Sequence, residues 1–140
     1  MPELKTYDLF ISHAWKYNED YYRLVDMLNN APNFKWRNYS VPEHDPVLDP
    51  DDPDDQETLI KELKEQIRPV NCVLILSGMY VAHSFWIQKE IDISLEYDKP
   101  IIGIKPWGQE RVPKAVSDVA KEIVGWNTSS IVEAIRKYSI

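Results

Sequence analysis

Two short segments hold the residues best suited to chemistry. Ser12-His13-Ala14-Trp15 follows one apolar run, and Ser77-Gly78-Met79-Tyr80 follows another and leads to Ser84, Trp86 and Glu90. If the second stretch is helical, Glu90 lies one turn beyond Trp86 and shares its face; at roughly 100° per residue it is about 60° from Ile87. A carboxylate there stands at the margin of the apolar stripe. It either lines a cleft or faces solvent beside Lys89 or Arg68. In a cleft it can stabilise developing positive charge by preorganised electrostatics. Other combinations lead less far. His13, His44 and His83 have no close partner at ligand spacing, so no metal site is expected. The acidic run Asp49 to Asp55 lacks the glycine and terminal glutamate of a calcium loop. No nucleophile elbow, P-loop or GxGxxG occurs.

The elements that must position these residues can be read in order. Tyr7 to Ser12 is a short apolar run and predicts a buried first strand. Asn18, Glu19 and Asp20 offer a cap and an acidic first turn for a helix to about Asn30, with Tyr21, Leu24, Val25 and Leu28 as its stripe. Phe34 to Tyr39 alternates aromatic with polar residues, as a half-exposed edge strand does. A loop with four prolines spans 40–55. Asp54 with Glu57 resembles a capping box opening a helix to about Arg68, lined by Leu59, Ile60, Leu63 and Ile67. Val70 to Ser77 predicts a central strand. Met79 to Tyr97 predicts a helix with Ile87, Ile91 and Leu95 inward. Ile101 to Ile104 is a fourth strand, Pro113 starts a short helix to Lys121, and Ile123 to Trp126 is a fifth strand. Ser130 with Glu133 caps the last helix. Strands alternating with helices, and no hairpin turn between them, predict an α/β fold with one doubly wound, parallel, five-stranded sheet of flavodoxin-like order 2-1-3-4-5. Ligands of such sheets bind beyond the carboxyl ends of the strands, between the first and third, where the two segments above converge. A phospho-receiver on this sheet needs an acidic pair and an aspartate where Ser12-His13 and Ser77 stand.

Composition narrows the class. The 140 residues suit one domain, 1–140, and 44% apolar with 28% charged residues is a globular balance. A net charge of −7 argues against broad binding to nucleic acid or anionic lipid. The single cysteine, Cys72, excludes an internal disulfide framework and is expected to pack as a small hydrophobe. With no signal-like N-terminus and no apolar run of spanning length, a cytoplasmic protein without membrane attachment is expected.

Tyr7-Asp8-Leu9-Phe10-Ile11-Ser12-His13-Ala14 resembles the first-strand box of TIR domains. Leu74-Ile75-Leu76-Ser77 to Tyr80, with Ser84-Phe85-Trp86-Ile87-Gln88-Lys89-Glu90, resembles their second box, which ends in Trp-x-x-x-Glu, and Lys99-Pro100-Ile101-Ile102-Gly103-Ile104 is similar to the strand that follows. Within that family the chain looks most like the small stand-alone prokaryotic TIR-like proteins of the Thoeris ThsB group. The resemblance implies an enzyme that cleaves NAD⁺ between nicotinamide and ribose, with NAD⁺ as substrate and no separate cofactor. It implies Glu90 as the catalytic carboxylate, with Phe10, Ser12, His13, Tyr39 and Trp86 as substrate-binding residues. In the ThsB-like group the ADP-ribose-derived product activates a separate effector protein in antiphage immunity, and TIR domains commonly self-associate. The loop Tyr39 to Pro46 departs from the receptor pattern, and Ala14 and Trp15 replace arginines frequent after the first strand. Lys16, Arg37 and Lys89 are therefore candidates for the pyrophosphate by location only.

The chemistry is coherent. Nicotinamide leaves NAD⁺ as a neutral molecule, so the site must stabilise an oxocarbenium-like ribose rather than supply a strong acid, and carboxylates do this in glycoside hydrolysis. Trp86 against the cationic ring adds roughly 0.5–2 kcal/mol. Two other readings stand beside this one: a non-enzymatic TIR-type interaction module, favoured by the edge strand and long loop, and a nucleoside deoxyribosyltransferase-like enzyme with a carboxylate nucleophile.

Overall fold

In a computed structural model, which describes residues 5–15, 18–40, 49–80, 83–105 and 112–140, five strands form one sheet. They are β1 (Thr6–Ile11), β2 (Lys35–Asn38), β3 (Cys72–Leu76), β4 (Ile101–Ile104) and β5 (Glu122–Val124). The helices between them are α1 (Glu19–Asn29), α2 (Pro53–Ile67), α3 (Ser84–Glu96), α4 (Lys114–Ser117) and α5 (Thr128–Tyr138). The strand order is β2-β1-β3-β4-β5 and every pairing is parallel, as the alternating pattern predicts. α1 packs with α5, and α2 packs with α3. Each helix pair covers sheet whose strands need burial on both sides.

Burial follows residue type. Every residue of β3 and β4 is buried, whereas β2 alternates exposed and half-buried positions at the sheet edge. There Arg37 pairs with Asp8 across the register, its Nε 2.6 Å and Nη2 3.0 Å from the two carboxylate oxygens. Gly103 allows the close approach of the last crossover: a Cβ on it would lie 2.5 Å from Ile123 Cδ1 and 3.1 Å from Val116 Cγ1. Asn71 ties three parts of the chain together. Its Oδ1 accepts from the Asp8 N–H at 2.8 Å, and its Nδ2 donates to the Ile140 carbonyl at 2.7 Å.

Several boundaries differ from the sequence expectation for local reasons. α2 starts at Pro53, a residue preset for the first helical position, and its cap is Asp52, whose side chain accepts from Asp54 N; Asp54 lies inside the helix. α3 starts at Ser84 rather than Met79, because Ser77–Met79 form a separate 3-10 turn, and Ser77 Oγ is held by the Ile104 carbonyl at 3.0 Å. Leu95, expected inward, is 46% exposed; Ile93 and Ser94 are buried instead. α5 is capped by Asn127, not Ser130: Asn127 Oδ1 accepts from the Ser130 N–H at 3.1 Å. The fifth strand ends at Val124, two residues short of Trp126.

Candidate functional site

The site forms where β1 and β3 part to different neighbours. β1 ends at Ile11, and Ser12 continues the pairing, donating its N–H to the Leu74 carbonyl at 2.8 Å while its Oγ accepts from the Leu76 N–H at 2.7 Å. Beyond it the backbone turns sharply: Ala14 and Trp15 both lie in the left-handed region, with φ of 52° and 57°. For residues carrying a Cβ that conformation is strained and persists only when the surroundings hold it.

Glu90 holds it. Its Oε1 accepts from the N–H of His13 at 3.0 Å and of Ala14 at 2.8 Å, so a side chain of α3 binds the turn that follows β1. The residue is fully buried. Among the described residues no group hydrogen-bonds the second oxygen, Oε2. Burial pushes the carboxyl up to about 8, against the opposing pull of the two backbone N–H groups. Glu90 is thus neither solvated nor paired with Lys89, whose ammonium sits 5.6 Å from the Phe85 ring centre.

His13 is also fully buried, and its Nδ1 lies 3.7 Å from Glu90 Oε1. The contact is not an ion pair. The Trp15 N–H donates to Nδ1 at 2.9 Å, so Nδ1 carries no proton, and Nε2, 3.0 Å from Gln66 Oε1, carries it. Aromatic rings enclose this group: Phe10 and Trp15 lie 5.2 and 4.7 Å from the imidazole, and Trp15 meets Trp86 edge-on at 6.3 Å. Trp86 is 5% exposed and donates its Nε1–H to the Pro50 carbonyl at 3.1 Å. That carbonyl also accepts from Gln56 Nε2 at 3.2 Å, which fixes the entry to α2 against α3.

Beside Trp86 is a cavity of about 260 Å³ whose wall includes Ala14, Pro50, Gln56, Ser84, Phe85 and Trp86. It meets the surroundings of Glu90 through Ala14, which binds the carboxylate, and through Trp86, one turn before it. Phe85 stands at its edge, 47% exposed and perpendicular to the Trp86 ring.

Of the residues singled out in the sequence, Glu90, His13 and Trp86 come together, with Phe10 packed behind the imidazole. Ser12 is buried as a pin between β1 and β3. Tyr39 is half-buried beyond the end of β2, its N–H on the Leu9 carbonyl at 2.9 Å, and is not on the cavity wall. Arg37 is engaged with Asp8 three residues before the carboxyl end of β1; Lys16 and His44 lie outside the described residues. Three residues of the site had no role assigned from the sequence: Gln66, Pro50 and Trp15, the last named only as part of the segment after the first strand. Gln66 had a signal: it stands seven residues after Leu59 and three after Leu63, a polar side chain on the apolar stripe of α2. Trp15 and Pro50 had none, since only the turn after β1 and the path of the loop bring them in.

A comparison with curated proteins found no match. The family described as Thoeris protein ThsB, TIR-like domain, matches residues 10–111, from within β1 past β4, a span that contains the turn after β1, Gln66, Trp86 and Glu90. That is most of the chain, and the parallel sheet and its order are consistent with it: this chain belongs to the ThsB TIR-like domain family of Thoeris systems.

Proposed function

We propose that this Thoeris-type TIR protein cleaves NAD⁺, with Glu90 as the catalytic carboxylate. The supporting observation is the asymmetry of Glu90: Oε1 is spent on two backbone N–H groups, while Oε2 is buried without a hydrogen-bond partner among the described residues. A purely structural clasp needs only the first. In the reaction, the bond between the nicotinamide nitrogen and the ribose carbon breaks, its electron pair goes to nicotinamide, and positive charge develops on the ribose. Oε2 facing that charge, in surroundings of low polarity, stabilises it more than a solvated carboxylate would. Because burial favours the protonated acid, arrival of the substrate's cationic nicotinamide ring is what restores the ionised form. Trp86, one turn before Glu90 and on the wall of the adjacent cavity, is placed to border the departing ring. The ribose is captured by water or by a nucleophile of the same dinucleotide. The ADP-ribose-derived product serves as a signal to a separate effector protein, and self-association of the domain completes the pocket.

The test is nucleotide mass spectrometry after incubating concentrated protein with NAD⁺. Gln at position 90 keeps an oxygen to accept from His13 and Ala14 but cannot ionise. Glu90→Gln is therefore expected to fold and to lose nicotinamide release by 10²-fold or more, on the order of a lost electrostatic stabiliser. Glu90→Ala, which leaves both N–H groups without an acceptor, is expected to lose stability as well. A Glu90→Gln protein as active as the wild type would overturn the reading.

A further inference from the structure

The hydrogen bonds around His13 leave one arrangement of protons. A backbone N–H only donates, so the 2.9 Å contact from Trp15 N makes Nδ1 an acceptor. The proton is then on Nε2, and the oxygen of Gln66, 3.0 Å away, accepts it. The imidazole is neutral although the carboxylate of Glu90 lies 3.7 Å from Nδ1. An imidazolium would need a hydrogen on Nδ1. It would release the Trp15 N–H from a turn with two left-handed residues and pair with Glu90 Oε1.

We propose that Gln66 is a positioning residue of the Glu90 site: its neutral amide, accepting from His13 Nε2, keeps the imidazole uncharged with Nδ1 on the Trp15 N–H. Two consequences follow. The Ala14–Trp15 turn stays in place, so the His13 and Ala14 N–H groups remain aimed at Oε1. The carboxyl is not paired with an imidazolium, so the negative charge it gains on ionising is left for the positive charge that develops on the ribose. Groups packed on the imidazole among the described residues are consistent with this: the Phe10 and Trp15 rings, an amide from α2, and the Glu90 carboxyl from α3, a titratable group facing it. An amide has no charge with which to draw a proton onto the ring, whereas a glutamate of the same length would. The role in catalysis rests on the NAD⁺-cleaving reading; the proton arrangement does not.

The experiment is ¹⁵N NMR of the histidine side chains in the full chain, in a His44→Gln, His83→Gln background that leaves His13 as the sole imidazole. The expected spectrum at pH 6–8 has one unprotonated nitrogen, Nδ1, and one protonated, Nε2. In Gln66→Glu both nitrogens become protonated near neutral pH. In Gln66→Met, which keeps the length but not the acceptor, the Trp15 N–H still holds Nδ1 unprotonated, and the Nε2 proton, left without its acceptor, shifts its ¹⁵N and ¹H resonances. Where nicotinamide release is measured, kcat falls by about tenfold or more in both variants, with KM little changed. The acidic limb of the pH profile moves down in Gln66→Glu, because the imidazolium favours the ionised carboxylate. An imidazolium or an Nδ1-protonated ring in the wild type overturns the proposal whether or not NAD⁺ is cleaved, and so does a Gln66→Glu ring that stays neutral. The correct wild-type ring with no turnover in any protein supports the proton arrangement and sinks the NAD⁺ reading instead.

Discussion

Glu90 is a carboxylate that folding places at a cost. In the unfolded chain it ionises near the ordinary value of 4.5, whereas in the folded protein burial pushes it up to about 8. The folded state therefore holds the extra proton between these values. Its contribution to stability is fully present below about 4.5 and declines as pH rises through about 8. Glu90→Gln removes that dependence while keeping the acceptor for His13 and Ala14. Thermal or chemical unfolding at pH 5.5 and pH 8.5 is expected to show the variant gaining on the wild type at the higher pH, by a few kcal/mol in order of magnitude. A difference that does not change with pH would mean that the carboxyl titrates as an exposed one. The same proton sets the direction of the pH–rate profile: kcat/KM, which reports the free protein, rises with pH toward about 8, and kcat, which reports the complex with the cationic nicotinamide ring beside the carboxyl, completes its rise at lower pH.

The sheet is pinned by elements whose polar side chains bond backbone rather than one another, and Asn71 is the clearest case. Replacing it with alanine leaves the Asp8 N–H and the Ile140 carbonyl without their side-chain partners, while the backbone bonds from Asn71 N to the Asp8 carbonyl and from Ile140 N to the Asn71 carbonyl remain. Denaturant unfolding of Asn71→Ala is expected to show a loss of about 1–3 kcal/mol, with the surroundings of Glu90, at the other end of the strands, unaffected. Strand order and the burial of β3 and β4 were legible because an apolar run between helical patterns has few other places to go. The helix starts were less so: Asp54 and Ser130 are as good capping residues as Asp52 and Asn127, and what separates them is the preset backbone of Pro53 and the turn before α5. Glu90 and Trp86 were legible together from their spacing on one helix face. The left-handed Ala14–Trp15 turn was not, since no glycine marks it and the hydrogen bonds that sustain it come from α3, more than 70 residues away.

At the scale of the whole molecule, the net charge of −7 opposes the approach of an anionic dinucleotide, so affinity rests on local contacts in the site. Raising salt from about 50 to 300 mM shortens the range of that repulsion. KM for NAD⁺ is accordingly expected to stay constant or fall modestly; a KM that climbs steeply with salt would instead reveal attraction by basic groups. No helix among the described residues is long and apolar enough to cross a membrane. Trp86, bound to the Pro50 carbonyl one helical turn before Glu90, joins the loop before α2 to the neighbourhood of the buried carboxyl. The most direct measurement is nicotinamide release from NAD⁺ by concentrated protein at pH 8.5, wild type beside a folded Glu90→Gln. The account predicts release by the wild type and at least about a hundredfold less by the variant; equal release by the two proteins would contradict it.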